Sequence, residues 1–397
     1  MTNTAPTIPA KFYEVSPKTK TFFGVCLVLG VVSFVLALFF APSRAWPNFL
    51  LNYFFFLILS LSGAFFIALQ HITNAYWSVT VRRLAEALVS YLPVALVLGV
   101  ILVLGSHNLY EWTHHEVVAK DPLLTLKSSY LNLPFFILRL CLFFSLWIFF
   151  SLKMRKNSLN QDITGEHRFT LSNIKLSAIF IPLFAITFTL CSFDLVMSLE
   201  PHWFSTIFGV YCFSGLFYGG LSLLAYLTIC GSQKGVFTKD LVNENHIHDI
   251  GKLMFAFTVF WGYILFSQLM LQWYANLPEE IPYYLRRFDG SWWDVGVFLF
   301  LVHFVLPFFL LLPRQAKRSA SYLKKMACLM LFSQWVDVYY MVMPVFFKKG
   351  PVFGWIEIGV FLGFLGLFGL TLSRFLNRVP SLPIKDPRLT DCLAHVQ

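Results

Sequence analysis

The sequence predicts an all-α membrane protein with about ten transmembrane helices, and its composition and apolar runs carry that prediction. Hydrophobic residues make up 57% of the chain, aromatic residues 18% and charged residues only 13%. Apolar stretches long enough to cross a bilayer core, about 20 residues each, recur along the whole chain. Because soluble cores do not supply so many uninterrupted runs, the chain is predicted to cross the membrane many times.

The apolar runs and the polar breaks between them predict ten spans. These spans cover 21–41, 47–70, 84–106, 131–152, 174–199, 203–230, 252–275, 291–313, 321–345 and 352–375. An even number of spans places both termini on one side. The chain is thereby divided into an N-terminal tail at 1–20, membrane halves at 21–199 and 200–375, and a C-terminal tail at 376–397. The C-terminal tail is rich in proline, which is typical of a segment extended over a neighbour or disordered.

The basic residues indicate which side the termini occupy. The chain has 30 Lys and Arg and a formal net charge of +10, and 22 of these residues lie in the tails and in the loops on the same side as the tails. By the positive-inside rule both termini are cytoplasmic. The basic residues form no stripe of the kind that binds phosphates, so nucleic acid is not an expected partner.

One stretch near mid-chain joins the two membrane halves, with the sequence FDLVMSLEPHWFSTIFGVY from Phe193 to Tyr211. The polar segment 198–202 interrupts two long apolar runs, and Pro201 lacks the N–H that a continuing helix would need. We interpret this segment as a tight turn between two spans, with Asp194 held just inside the first of them.

No motif for a resident cofactor or metal is found in the sequence. The seven cysteines are scattered and form no CxxC pair. A membrane haem with two axial histidines needs a matched pair on facing helices, whereas His303 is the single histidine deep in a predicted span. No phosphate-binding or HExxH zinc motif is present. The chain is therefore expected to carry no cofactor or metal of its own.

Ionisable residues in hydrocarbon cost several kcal/mol, so each is a functional candidate. Arg139 in the fourth predicted span and Asp194 in the fifth lie at similar depths from the same side. Adjacent antiparallel helices would bring them together as an ion pair. Such a pair is equally consistent with a structural lock between helices and with proton transfer.

A second set of polar residues lies in the second half of the chain. His303 falls near the middle of the eighth predicted span and Asp337 in the outer part of the ninth. The neighbouring candidates for a hydrated track from the outer surface to the midplane are Tyr263, Ser267, Gln268, Gln272, Gln334, Tyr339 and Tyr340. These groups suit a proton relay, and interhelical hydrogen bonding is the alternative.

His71 and Glu86 mark the inner ends of the second and third predicted spans, beside Arg82 and Arg83. The pair suggests a cytoplasmic entrance for protons. A carboxylate near arginines at a helix end is also ordinary interface chemistry, and this reading is favoured.

The run MSLEPHWFSTIFG and the ten-span layout resemble the NrfD/PsrC-like integral membrane family, and within it the ActF-like subunits of bacterial alternative complex III. The resemblance covers nearly the whole chain. It implies two four-helix bundles, formed by the second to fifth and the sixth to ninth spans, with the first and tenth spans flanking them. It also implies a place in the bacterial inner membrane.

The resemblance further implies a quinol:cytochrome c oxidoreductase assembly. Its partner subunits, an iron–sulfur protein, haem c proteins and a paralogous membrane subunit, would carry the electrons. The present chain would be a non-catalytic or quinone-site subunit that offers a proton pathway. The pathway candidates are Arg139, Asp194, Gln268, Gln272, His303, Asp337, Tyr339, His71 and Glu86.

Two other functions remain open at this stage. The first alternative is a structural membrane anchor, whose polar residues only pack helices. The second is an independent secondary transporter. Transporters typically have helices broken near the midplane. Most prolines here lie near span ends, with Pro182 and Pro307 as interior exceptions, which argues against the transporter.

Overall fold

Ten long helices make up most of the protein. The computed structural model describes residues 11–395, so residues 1–10 and 396–397 of the predicted tails lie outside the described residues. Within the described part, the helices long and apolar enough to cross a membrane are Pro17–Phe40, Pro42–Ile72, Val79–Leu104, Leu133–Thr164, Arg168–Leu199, Phe208–Gln233, Glu244–Ala275, Ser291–Leu311, Ala320–Phe346 and Trp355–Leu376. They are called the first to tenth spans below. Residues 11–395 contain no β-strand, although an isolated bridge joins Phe12 to Pro380. The all-α, ten-span prediction is confirmed.

The spans pack as two four-helix groups with a flanking pair. The second to fifth spans contact one another and form one group, and the sixth to ninth spans form the other. The second span is the central helix, because it also packs against the sixth, ninth and tenth spans. The first and tenth spans pair with each other beside the bundles.

The first and tenth spans cross at two glycines. A side-chain carbon built on Gly30 would lie 2.0 Å from the Cα of Gly363, so neither position has room for a larger residue. Small residues at such crossings let helix backbones approach closely, which gives van der Waals contact where no hydrophobic force acts between helices in lipid.

Several helices extend further than the apolar runs predicted. The fourth was predicted to end at 152 but continues to Thr164, where Gly165 adopts φ 74° and closes the helix. The seventh was predicted to begin at 252 but begins at Glu244, where the side chain of Asn243 caps the first turn. Apolar runs mark the part of a helix in hydrocarbon, whereas capping residues mark where the backbone hydrogen bonds stop.

The predicted tight turn at mid-chain is longer than expected. The fifth span ends at Leu199 and the sixth begins at Phe208 rather than at 203. The intervening segment is held in place by tertiary contacts. Trp203 stacks on Tyr283 with ring centroids 3.8 Å apart, and the Glu200 carboxylate binds Arg287.

The ends of the spans define two faces of the molecule. The termini face carries residues 11–16 and 377–395, and the loop face carries the segments 105–132, 200–207 and 276–290. Short helices lie outside the spans on both faces, namely Ser106–Leu109, Glu111–Thr113, His115–Lys120, Pro122–Lys127, Pro282–Phe288, Arg314–Arg318 and Leu389–Leu393. The C-terminal segment 377–395 is folded onto this chain's own termini face and contains several buried residues.

Candidate functional site: buried carboxylates and a cavity beneath the loop face

Arg139 and Asp194 form the ion pair that the sequence predicted. Arg139 Nε donates to Asp194 Oδ2 at 2.8 Å and Nη2 donates to Oδ1 at 3.0 Å, so the guanidinium grips both oxygens. The guanidinium also lies 3.8 Å from the ring centroid of Tyr130 and donates to the Tyr130 carbonyl. Both charges are buried in the first bundle and compensated in place. The pair fastens the fourth span to the fifth.

Asp337 lies in a different environment in the second bundle. Its side chain is 1% exposed. Tyr211 donates its hydroxyl hydrogen to Oδ1, and Gln334 Nε2 donates to Oδ2 at 3.1 Å. Both of these partners are neutral. The Gln334 amide fits between the sixth and ninth spans because Gly215 faces it, and a side-chain carbon there would come within 2.7 Å of Nε2.

His303 is fully buried near the middle of the eighth span. Its ring is held between Tyr218, at a centroid distance of 4.0 Å, and Trp261, at 4.1 Å. Neither ring nitrogen makes a hydrogen bond of normal geometry among the described residues, although the ring lies close to the Ser333 backbone. A buried imidazole without partners is costly, which makes this residue a functional candidate.

The backbone around His303 departs from regular α-helix. Residues Phe300–Val305 form a π-helical turn, after which Pro307 supplies no N–H to the His303 carbonyl. The Tyr218 hydroxyl donates to that carbonyl at 3.0 Å. Such turns are frequent at functional sites. Here the turn and the tyrosine fix the position of the imidazole.

A cavity of about 650 Å³ extends from these residues toward the loop face. Tyr211 and Trp261 form one end of it, and Arg287 of helix Pro282–Phe288 lies at the other. Gln268 Oε1 and Tyr284 Oη are buried in its wall, where the two side chains adjoin each other. Most of the remaining wall is apolar, so ordered water fits only beside such polar groups. Tyr211, the hydrogen-bond partner of Asp337, also lines the cavity.

The residues of the predicted hydrated track do not all lie on one surface. Gln268, Gln272 and Tyr340 line the cavity. Tyr339 does not, because its hydroxyl donates to the Val352 carbonyl at 2.7 Å and accepts from the Val352 N–H. Tyr263 is 63% exposed on the outer side of the seventh span. The sequence shows which residues share one face of a helix. It does not show whether that face points into the bundle, because the rotation of the helix is set by its packing.

The structure places His71 and Glu86 inside the protein, with Glu86 beside the arginines that are its neighbours in sequence. Both are essentially unexposed. Glu86 accepts a hydrogen bond from Arg83, and His71 lies 3.3 Å from Asn173 Nδ2 and 3.4 Å from Arg388 Nη2. They belong to a buried charge cluster at the termini face, whose charged members are Arg82, Arg83, Glu86, Asp162, Asp386 and Arg388.

The C-terminal segment closes this charge cluster. Arg82 Nη2 donates to Asp386 Oδ2 at 2.5 Å, and Arg388 Nε donates to Asp386 Oδ1 at 3.1 Å. Burial alone would raise the pKa of the Asp386 carboxyl, but the charges and hydrogen bonds of Arg82 and Arg388 hold it well below its ordinary value. Asp386 therefore remains ionised and fastens the tail to the third span.

Sequence reasoning missed several residues of these sites. Tyr211 and Trp261 lie within predicted spans but are not among the predicted site residues, and the sequence does not predict the contact of Glu200 with Arg286 and Arg287. The only signal for the last contact was that Glu200, Arg286 and Arg287 all lie in loops on the same predicted side. Nothing local in the sequence indicated that Trp261 would stack on His303.

No group of three or more His, Cys, Asp or Glu side chains within residues 11–395 is arranged to hold a metal ion. Comparisons of the sequence with models of known protein families and with curated proteins gave no match.

Proposed function

We propose that this chain is an integral membrane subunit of a respiratory or photosynthetic quinol:electron-acceptor oxidoreductase similar to alternative complex III. It would lie in the bacterial inner membrane with both termini in the cytoplasm. Its role would be to offer a proton pathway coupled to quinol oxidation in a neighbouring subunit. The resemblance of the MSLEPHWFSTIFG run supports the assembly, and the buried polar groups of the second bundle support the pathway.

The observation that carries the proposal is the setting of Asp337. Its carboxylate is buried against neutral hydrogen-bond partners, and one of them, Tyr211, forms the end of a 650 Å³ cavity. A carboxylate bound to a guanidinium has its charge compensated, whereas one held by neutral groups can change its protonation state without breaking an ion pair. Asp337 is thus suited to accept and release a proton.

The proposed path enters at the loop face. Water in the cavity would reach Tyr211, whose hydroxyl contacts Asp337. Trp261 lies between Tyr211 and His303. Its ring centroid is 6.0 Å from that of Tyr211 and 4.1 Å from that of His303, so the indole packs against both side chains. Carboxylate and imidazole are the groups that bind protons at accessible pH.

No hydrogen bond links Asp337 to His303 among the described residues, and no hydroxyl chain continues from His303 toward the termini face. The hydroxyls of Ser222, Thr228 and Thr258 each donate to a carbonyl of their own helix. This arrangement gives a half-path rather than an open channel. A redox change in a neighbouring subunit would have to alter the hydration or proton affinity of His303 or Asp337 to couple the path, because a path of fixed affinity only leaks.

Electron carriers belong to the partner subunits in this proposal. Iron–sulfur clusters and haem c would lie in those partners. His303 is the single histidine deep in a predicted span, so this chain offers no matched pair of axial histidines for a membrane haem. A quinone ring would lie in the loop-face cavity instead, where the Tyr284 hydroxyl and the amide N–H of Gln268 would donate to its carbonyl oxygens.

A structural anchor is the second candidate function. The observation in its favour is the Arg139–Asp194 pair, which joins two spans and has both charges compensated. An anchor would assemble the complex without moving protons.

The test is proton release and uptake during quinol turnover by the purified complex in sealed vesicles. Native protein is compared with Asp337→Asn and His303→Leu. The matched control is Tyr339→Phe, which removes a buried hydroxyl of the same span that lies off the cavity. Lost proton movement in the first two variants, with electron transfer retained and the control unaffected, supports the pathway. Unchanged proton stoichiometry in both variants refutes it and leaves the anchor.

A further inference from the structure

A second large space lies far from the loop-face cavity and is used by neither candidate function. It is an apolar groove of about 680 Å³ between the first and tenth spans on one side and the second, sixth and ninth spans on the other. Its wall is mainly hydrocarbon and aromatic, with Phe55, Leu223, Phe332, Phe361 and Leu372 among the lining residues.

The groove runs across the whole apolar thickness. It follows the tenth span from Glu357 to Leu376, which at 1.5 Å per residue is about 28 Å, close to the roughly 30 Å of a bilayer core. All the empty space in the groove, about 1830 Å³, gives a mean cross-section of about 65 Å² over this length. A helix about 10 Å wide needs roughly 80 Å². The groove is therefore too narrow to enclose a partner's helix, whereas an extended acyl chain fits along it.

The two ends of the groove differ in charge. At the loop face, Glu357 is already neutralised by Arg44, with Nη2 and Oε2 2.6 Å apart. At the termini face, Lys234 lines the groove and its ammonium lies 5.5 Å from the ring centroid of Tyr13. Lys324 lies 5.4 Å from the ring of Tyr226, another lining residue.

A third ammonium group lies near the same mouth. Lys11 Nζ donates to the Gly235 carbonyl at 3.3 Å, and Lys324 Nζ donates to Gln233 Oε1 at 2.8 Å, so both lysines gather at residues 233–235 beside Lys234. Basic groups at the end of an apolar slot between spans suit an anionic lipid head group.

We propose that this groove binds an anionic phospholipid. One acyl chain lies along the slot, and the phosphate lies at the termini face among Lys234, Lys324 and Lys11. Direct contact with the phosphate gives the head-group preference, and van der Waals contact along the slot holds the acyl chain, which is in hydrocarbon whether or not it is bound. The lipid would join the flanking pair of spans to the second bundle.

The test compares phosphatidylglycerol with phosphatidylcholine carrying the same acyl chains. The purified protein is incubated with each lipid in detergent, and lipid retained is measured by native mass spectrometry together with the thermal unfolding midpoint. We expect retention of phosphatidylglycerol at least five-fold higher, with a higher midpoint. Glycerol phosphate alone, which lacks the acyl chains, should not compete.

Variants separate the head-group site from the groove. Lys234→Gln with Lys324→Gln should abolish the preference for phosphatidylglycerol, whereas Lys348→Gln with Lys349→Gln, at two exposed lysines between the ninth and tenth spans, should leave it unchanged. Leu365→Trp, which fills the slot, should reduce retention of both lipids, and Leu331→Phe provides a milder filling if the tryptophan variant does not fold. Equal retention of the two lipids by native protein, or a preference that survives loss of both lysines, would overturn the proposal.

Discussion

Asp194 and Asp337 are the same residue type at nearly the same burial, yet their surroundings differ in one decisive respect. Asp194 is 0% exposed and its two oxygens are held by Arg139. Asp337 is 1% exposed and is held by the hydroxyl of Tyr211 and the amide of Gln334. Burial alone therefore does not define a functional carboxylate. The charge of its partners decides whether it locks two helices or can exchange a proton.

The surrounding space differs in the same direction. The Tyr211 partner of Asp337 forms one end of the loop-face cavity. The Arg139–Asp194 pair is covered by aromatic side chains, because the rings of Tyr130 and Phe135 lie 3.8 and 4.3 Å from the guanidinium. A pair sealed in this way contributes rigidity, whereas the hydrogen-bond partner of Asp337 borders open space that leads toward the loop face.

Replacing Arg139 with Leu is expected to have the largest effect. It leaves the Asp194 charge buried without compensation, which costs about 3–5 kcal/mol in stability. Thermal unfolding in detergent measures the loss. The double variant Arg139→Leu, Asp194→Asn should recover much of it, because no charge is then left alone. A single variant as stable as native protein, or a double variant no better than the single one, would contradict the structural lock.

Asp386, at the termini face, is a second buried carboxylate that is paired with arginine. We expect its replacement to destabilise the docked C-terminal segment by an intermediate amount. Its folded pKa lies below the ordinary value of about 3.9, so its contribution is fully present above that pH and is lost as the pH falls below it. Docking of 377–395 should therefore persist from neutral pH to about pH 4 and weaken below. Asp386→Asn should weaken it by about 2 kcal/mol already at neutral pH.

Hydrogen exchange of the C-terminal segment measures that docking. Asp391→Asn is the matched control, because Asp391 is an exposed carboxylate in the same segment. Equal exchange in the two variants would show that the Arg82 and Arg388 contacts do not hold the tail.

Replacing Asp337 with Asn is expected to have the smallest effect on stability, about 1 kcal/mol or less. The asparagine oxygen can still accept from Tyr211, and the amide can donate to Gln334 Oε1, which has no partner among the described residues. The thermal unfolding midpoints of Asp337→Asn and Asp194→Asn are compared. The second variant leaves the buried Arg139 without its carboxylate partner. A loss for Asp337→Asn as large as that for Asp194→Asn would show that Asp337 too is a structural group.

The sequence by itself determined the class of the protein, the number of spans and one of the buried contacts. Apolar runs report directly on transfer to hydrocarbon, so the ten spans followed from local composition. The Arg139–Asp194 contact was predictable because a charge at that depth is tolerated mainly beside an opposite charge. The cost of an unpaired charge acts here as a constraint on tertiary structure.

Only the tertiary structure decided which neutral side chains meet. Tyr211 rather than Tyr339 bonds Asp337, Trp261 covers His303, and the tail closes the cluster around Glu86. These contacts depend on how each helix is rotated and where it crosses its neighbours. In lipid, helices pack through many weak van der Waals and hydrogen-bond contacts, so no single residue in the sequence specifies that rotation.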